Sequence, residues 1–162
     1  MAPIRVGTVE YLNTVPLLRG LEYTAGLELV RAVPSRIIDL LASDRVDIGL
    51  ISLIDVARSA DPLAILPVGM IGCEGPTLTV RLFSDRPIEQ IDRVWADTDS
   101  HTSVTLAKVL LKRLHGIEPP FVAYDARERV ATGPGTDAPA EGEGAADGGW
   151  PPAVLLIGDK VV

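Results

Sequence analysis

Leu27-Glu28-Leu29-Val30-Arg31-Ala32-Val33 runs directly into Pro34-Ser35-Arg36-Ile37-Ile38-Asp39-Leu40-Leu41, and then into Val46-Asp47-Ile48-Gly49-Leu50-Ile51-Ser52. The first run alternates and is rich in branched residues, which predicts a strand. Pro34 suits the first turn of a helix, Ser35 is a plausible N-cap, and Ile37, Ile38, Leu40 and Leu41 supply one apolar face. The third run is apolar enough for a second strand. Strand, helix, strand with such short connections is a parallel unit.

Working towards the N-terminus, Ile4-Arg5-Val6-Gly7 predicts a short buried strand. Tyr11-Leu12-Asn13 forms the loop after it. Pro16 then opens a helix carrying Leu17, Leu18 and Leu21, with Asn13 or Thr14 at its cap. The first fifty residues therefore read as an α/β fold of alternating strands and helices. In such sheets ligands gather beyond the carboxyl ends of the strands. Asn13, Ser35 and Ser52 are the polar residues expected there.

Working towards the C-terminus, 63–72 and 77–84 are further extended runs, separated by Cys73-Glu74-Gly75-Pro76. Charge increases after Pro87, so one lobe is expected over 1–86 and a second over 87–162. Val94-Trp95-Ala96 is the next strand. Asp97-Thr98-Asp99-Ser100-His101-Thr102-Ser103 leads from it into a helix, with Ala107, Leu110, Leu111 and Leu114 on one face. Phe121 to Tyr124 is another strand. Residues 131–152 collapse to Gly, Ala, Pro, Asp and Glu and read as a disordered insertion, because they bury too little apolar area to offset their ordering entropy. Ala153-Val154-Leu155-Leu156-Ile157-Gly158-Asp159 returns to strand character.

Composition narrows the function. The net charge is −7, and no cluster of Lys and Arg marks a nucleic-acid or membrane surface. A chain this acidic repels an anionic ligand at long range, so an anion site must be built locally from N–H groups and hydroxyls. One cysteine, Cys73, allows no disulfide framework and no Cys-based metal site. The only histidines, His101 and His115, are not spaced as a short ligand pair, so no metal is expected. No apolar leader or membrane-spanning run is visible, which points to the cytoplasm.

The strongest chemical candidate is Ser100-His101-Thr102-Ser103. Unpaired N–H groups at a helix start, together with hydroxyls in its first turn, can hold a carboxylate or a phosphate. Plain N-capping explains the same residues, because Ser and Thr are common caps. Asn13 donates and accepts, so it can orient a hydroxyl or carboxylate, or simply cap a helix. His101 has a reference pKa suited to acid–base work, or is an ordinary helix-start histidine. Ser35 and Ser52 read equally as caps, Thr79 as a β-former and Asp159 as a turn residue. No phosphate loop or nucleophile elbow is present.

Taken in order, these stretches resemble the chorismate dehydratases of menaquinone biosynthesis. The likeness lies in Arg5-Val6-Gly7, Tyr11-Leu12-Asn13-Thr14-Val15-Pro16-Leu17, Pro34-Ser35, Val46 to Ser52, and Gly75-Pro76 with Val80 and Ser84. It continues through Asp97, the Ser100-x-Thr102-Ser103 run and Ile157-Gly158-Asp159. No single motif is specific; the ordered set is.

The resemblance implies a fold similar to the periplasmic type II binding proteins, with two α/β lobes and a ligand cleft between them. It implies loss of water from chorismate to give 3-[(1-carboxyvinyl)oxy]benzoate on the futalosine route, with no cofactor. Ser100, Thr102 and Ser103 would hold a carboxylate, and Asn13 would orient the departing hydroxyl or the enolpyruvyl group. Ser35, Ser52 and Thr79 would line the first lobe, and Asp159 would face the ligand. His101, or the substrate's own carboxylate, would take the proton. The family often has Arg where His101 stands and Ser where Thr79 stands. Its chains run on for roughly another hundred residues, so the chain is expected to be C-terminally truncated. Two readings stay open beside the enzyme: a non-catalytic small-anion binding module of the same fold, and an inactive fragment. Nothing in the sequence sets the oligomeric state.

Overall fold

The computed structural model describes residues 2–77, 79–126 and 150–161. Most of the 131–152 insertion therefore lies outside the described residues. Contacts divide the chain into two compact units, Met1–Pro76 and Thr77–Val162.

The first unit holds a three-stranded parallel sheet. Its strands are β1 (Ile4–Val9), β2 (Leu27–Ala32) and β3 (Ile48–Gly49), in the order β2-β1-β3. Val6 pairs with both Leu29 and Ile48, so β1 is the central strand. The helices are α1 (Val15–Leu18), α2 (Pro34–Ala42) and α3 (Leu53–Arg58). This is the parallel α/β arrangement expected from the alternation of strand and helix signals.

Helix α2 packs on β1 and β3 through Ile37, which is fully buried. A Cβ placed on Gly7 would come within 2.9 Å of Ile37 Cγ2, and one on Gly49 within 2.8 Å. Real Cβ contacts are longer, so glycine at both positions lets the helix approach the sheet closely. Outside this contact, Arg5 joins β1 to the residue before β3. Its guanidinium and backbone N–H both donate to Asp47, with Arg5 Nη2 2.8 Å from Oδ1 and Arg5 N 2.7 Å from Oδ2. Those hydrogen bonds, side chain first and backbone second, hold the Asp47 carboxyl down to about 2.

Three local expectations are corrected. The helix after β1 stops at Leu18, and Leu21 belongs to a separate 3-10 turn over Leu21–Tyr23. Gly20 between them has φ 93°, a left-handed conformation that ends an α-helix and that glycine adopts without strain. Helix α2 begins at Pro34 with Val33 as its N-cap, and no side chain caps it. Ser35 is therefore the second helical residue, because Pro34 already occupies the first turn. The run over 63–72 forms no strand. It has apolar residues but finds no ladder partner among the described residues.

The second unit holds a four-stranded mixed sheet. Its strands are β4 (Val80–Ser84), β5 (Val94–Asp97), β6 (Phe121–Tyr124) and β7 (Ala153–Ile157), in the order β4-β7-β5-β6. Strand β4, expected from sequence in the first lobe, pairs antiparallel with β7, Val80 facing Ile157 and Ser84 facing Ala153. Strands β5 and β6 are parallel and are connected through α4 (His101–His115).

Every residue of β7 is buried. Ala153 and Leu155 join a core with Val94, Ala96, Ala107 and Leu111. Val154 and Leu156 join a second cluster with Ala126, against which Trp95, Tyr124 and Val161 pack. A continuous apolar run is what a strand covered on both faces requires. Trp150 to Pro152, at the end of the proposed insertion, are described. Pro151 is buried and the Pro152 carbonyl accepts a hydrogen bond from the Asp85 N–H, so the sheet's order begins before Ala153.

On α4 the buried stripe is Ser103, Ala107 and Leu111. Leu110 and Leu114 were expected beside Ala107 and Leu111, yet they are 43 % and 71 % exposed. The i, i+4 spacing of 103, 107 and 111 keeps those residues on one line, and 110 and 114 fall off it.

Candidate functional site

In the first unit, the residues after the three parallel strands are the Tyr11–Thr14 loop, Pro34-Ser35 and Ser52. All three follow carboxyl ends of one parallel sheet. Asn13 sits in the 3-10 turn Leu12–Thr14 with its side chain exposed. Among the described residues no hydrogen bond ties its amide. The turn that presents it is pinned by the next residue. Thr14 is 1 % exposed, and its hydroxyl lies 2.8 Å from the Val9 carbonyl oxygen and 2.7 Å from that of Tyr11. Thr14 therefore folds the chain back onto the end of β1 and leaves Asn13 outward.

Ser35 is half-buried in the first turn of α2. Ser52 is the N-cap of α3. Its hydroxyl donates to Asp55 Oδ2 at 2.6 Å, and the Asp55 N–H points back at 3.4 Å. The one hydroxyl thus caps the helix start and donates to the carboxylate three residues on. The Ser52 proton is thereby committed within the helix start.

In the second unit, the carboxyl ends of β5 and β7 lie side by side, and the amino end of antiparallel β4 adjoins them. The Gly158 N–H donates to the Thr79 carbonyl at 2.8 Å, so Thr79 and the Gly158-Asp159 turn are neighbours. Thr79 itself is exposed and precedes β4 rather than lying in it. Ser100 caps α4. Its Oγ accepts from the Ser103 N–H at 3.2 Å and donates to Ser103 Oγ at 3.0 Å. Ser103 is buried and Thr102 exposed. His101, half-buried, is the first residue of the helix, and its carbonyl accepts the Thr105 hydroxyl at 2.9 Å. One edge of the second sheet thus gathers Thr79, Ser100, His101, Thr102, Ser103 and the turn bearing Asp159.

A charged group missing from the sequence reading sits at the same edge. Lys160 Nζ lies 2.6 Å from Asp97 Oδ2 and 2.8 Å from Asp99 Oδ2. The side chains are 8 %, 1 % and 3 % exposed for Lys160, Asp97 and Asp99. Asp97 also accepts the Asp99 N–H at 3.0 Å through Oδ1 and the Ile157 N–H at 3.3 Å through Oδ2. Removing one partner of a buried pair of this kind costs about 3–5 kcal/mol, because the other charge is left uncompensated. The signal in the sequence was faint: an Asp at the end of one buried strand and a Lys three residues beyond the end of another.

Among the described residues, no group of three or more His, Cys, Asp or Glu side chains is placed to hold a metal ion. Nor is any described helix long and apolar enough to cross a membrane. The chemistry this edge offers is that of hydroxyls, a helix N-terminus and a fixed turn. Such groups are able to hold an anion.

Comparison with known proteins gives this geometry a family. Residues 4–160 match the family described as menaquinone biosynthesis. The chain belongs to that family. It is also similar to the chorismate dehydratase of Thermus thermophilus, with 33% identity over all 162 residues of the chain. The match covers 53% of that protein, so the chain spans about half the length of the curated relative. The match to the family begins at the first strand and runs through the Gly158-Asp159 turn. Both carboxyl edges described above therefore fall within the family's own pattern.

Proposed function

We propose that the chain is a lyase of the chorismate dehydratase type, removing water from chorismate to give 3-[(1-carboxyvinyl)oxy]benzoate in menaquinone biosynthesis. Membership of the menaquinone family carries this reading, and the likeness to the Thermus thermophilus chorismate dehydratase names the substrate. The periplasmic type II binding-protein-like fold is part of the same proposal, as are a cytoplasmic location and freedom from a cofactor.

The chemistry suits the groups available. Dehydration takes a ring proton and the neighbouring hydroxyl from the substrate and leaves an aromatic ring. Aromatisation drives the step, so the protein's task is to orient a dianion and ease the departure of hydroxide. Ser100, Thr102 and Ser103 are assigned to a substrate carboxylate, with the α4 N-terminus adding its partial positive charge. Asn13, exposed and unengaged, is assigned to the departing hydroxyl or the enolpyruvyl group. Ser35, Ser52, Thr79 and Asp159 are assigned to substrate contacts. The proton goes to His101 or to the substrate's own carboxylate.

A second reading is binding without turnover, since hydroxyls at a helix N-terminus can hold an anion without reacting with it. The purified chain incubated with chorismate separates the two. Appearance of the aromatic product supports the lyase. A chorismate-induced rise in melting temperature without product supports the binding module, since only a ligand of the folded state stabilises it. Neither effect means an inactive chain and contradicts the proposal.

A further inference from the structure

We infer that Lys160 is a positioning residue for the anion-accepting start of α4, acting through Asp97 and Asp99 rather than on the substrate. The inference rests on the proposed function for its meaning in catalysis, and on the geometry of the second unit alone for its structural part.

The placement carries it. Asp97 ends β5, and Asp99 immediately precedes Ser100, the N-cap of α4. Lys160 lies in the 3-10 turn Gly158–Val161 that follows β7. Its ammonium bonds both carboxylates. The cation therefore ties together the two chain segments that leave adjacent parallel strands at the same edge. Asp97 completes the tie by accepting N–H groups from both segments, Asp99 on one side and Ile157 on the other. The loop that delivers Ser100 is thus held at Asp97 and Asp99, one residue short of the cap.

Enclosure decides between positioning and direct binding. The ammonium is 8 % exposed and is bonded to two buried carboxylates, so little of it faces an incoming anion. What it supplies is geometry: it fixes the 97–100 loop, and hence the Ser100 hydroxyl and the Ser103 N–H that it caps at 3.2 Å.

The test compares the full chain with Lys160→Arg, Lys160→Met and the double variant Lys160→Met with Asp99→Asn. Lys160→Met removes the cation between two buried carboxylates and destabilises the second unit. The double variant removes one carboxylate together with the ammonium, so the net charge is unchanged while the cationic tie is lost. Amide exchange at Ser103 is read against exchange at Leu111 in the middle of α4. In the double variant, protection at Ser103 falls on the order of tenfold, the scale of a lost N-cap, while Leu111 keeps its protection. Lys160→Arg restores most of the Ser103 protection, because a cation again bridges the loop and the turn.

On chorismate, the double variant shows a lower kcat and a raised KM while its far-ultraviolet circular dichroism matches wild type. Unchanged Ser103 protection in the double variant overturns the inference, whatever the kinetics. Uniform loss across α4, Leu111 included, also overturns it, since Lys160 would then serve general stability. Absence of turnover in the wild-type chain refutes the proposed function instead, and leaves the exchange result to decide the role of Lys160.

Discussion

Gly49→Ala tests how the first unit brings α2 onto its sheet. The added methyl would sit 2.8 Å from Ile37 Cγ2 and 2.8 Å from Leu41 Cδ1. The end of Leu41 can rotate aside. Ile37 cannot do so freely, because its Cγ2 is on a branched carbon and the side chain is 0% exposed. Overpacking of one methyl in such a setting costs about 1–3 kcal/mol. A suitable readout is amide exchange at Leu50, whose N–H donates to the Gly7 carbonyl at 2.9 Å and so reports on the β1–β3 contact. Where exchange there follows unfolding of the unit, it should accelerate by about five- to 150-fold. Ile37→Ala removes the obstructing methyl but opens a cavity, costing about 2–5 kcal/mol alone. The pair should then cost less than the sum of the singles, by about 0.5–3 kcal/mol. Strict additivity, or a Gly49→Ala chain as stable as wild type, would refute the close-approach reasoning.

Two further outcomes follow from other contacts. Thr14→Val keeps the shape but removes the hydroxyl bonded to Val9 and Tyr11, and should lower first-unit stability by about 1–3 kcal/mol in urea unfolding. The Arg5–Asp47 pair gives a pH signature. Folding lowers the Asp47 carboxyl from the ordinary 3.8 to about 2, so its contribution is complete above 3.8 and disappears as pH falls through about 2. The stability difference between wild type and Asp47→Asn should shrink across that window and vanish below it; a difference that persists in stronger acid refutes the assignment.

The parallel architecture of the first unit was legible because its signals were local. Alternation in 27–33, a proline-opened helix and an apolar run placed β2, α2 and β3 in order. The strand at Phe121–Tyr124 and the start of β7 at Ala153 were legible for the same reason. Non-local choices were not. Sequence could not show that Val80–Ser84 would pair with residues 69 to 77 positions away in the second unit. The third run shortened to Ile48–Gly49, which pair with Val6 and Gly7 alone.

The site divides along the same line. Asn13 and Ser100 were legible because each sits at a strand-to-helix turn with a recognisable cap pattern. Sequence could not tell a free group from an occupied one. Asn13 proves exposed, while the hydroxyls of Ser52 and Ser100 are already bonded inside their own helix starts. Lys160 was invisible because its partners lie 61 and 63 positions upstream, and the end of β7 looks like an ordinary turn.

Among the described residues no hydrogen bond holds the exposed Asn13 amide, and Asn13 gives the sharpest test of the proposed lyase. The measurement is kcat/KM for chorismate in wild type and Asn13→Ala, beside their melting temperatures. Because Asn13 is exposed, its loss should leave stability within about 0.5 kcal/mol. Turnover should fall by about 100-fold or more, since orientation of the leaving group is removed. An Asn13→Ala chain that converts chorismate as fast as wild type would contradict the account.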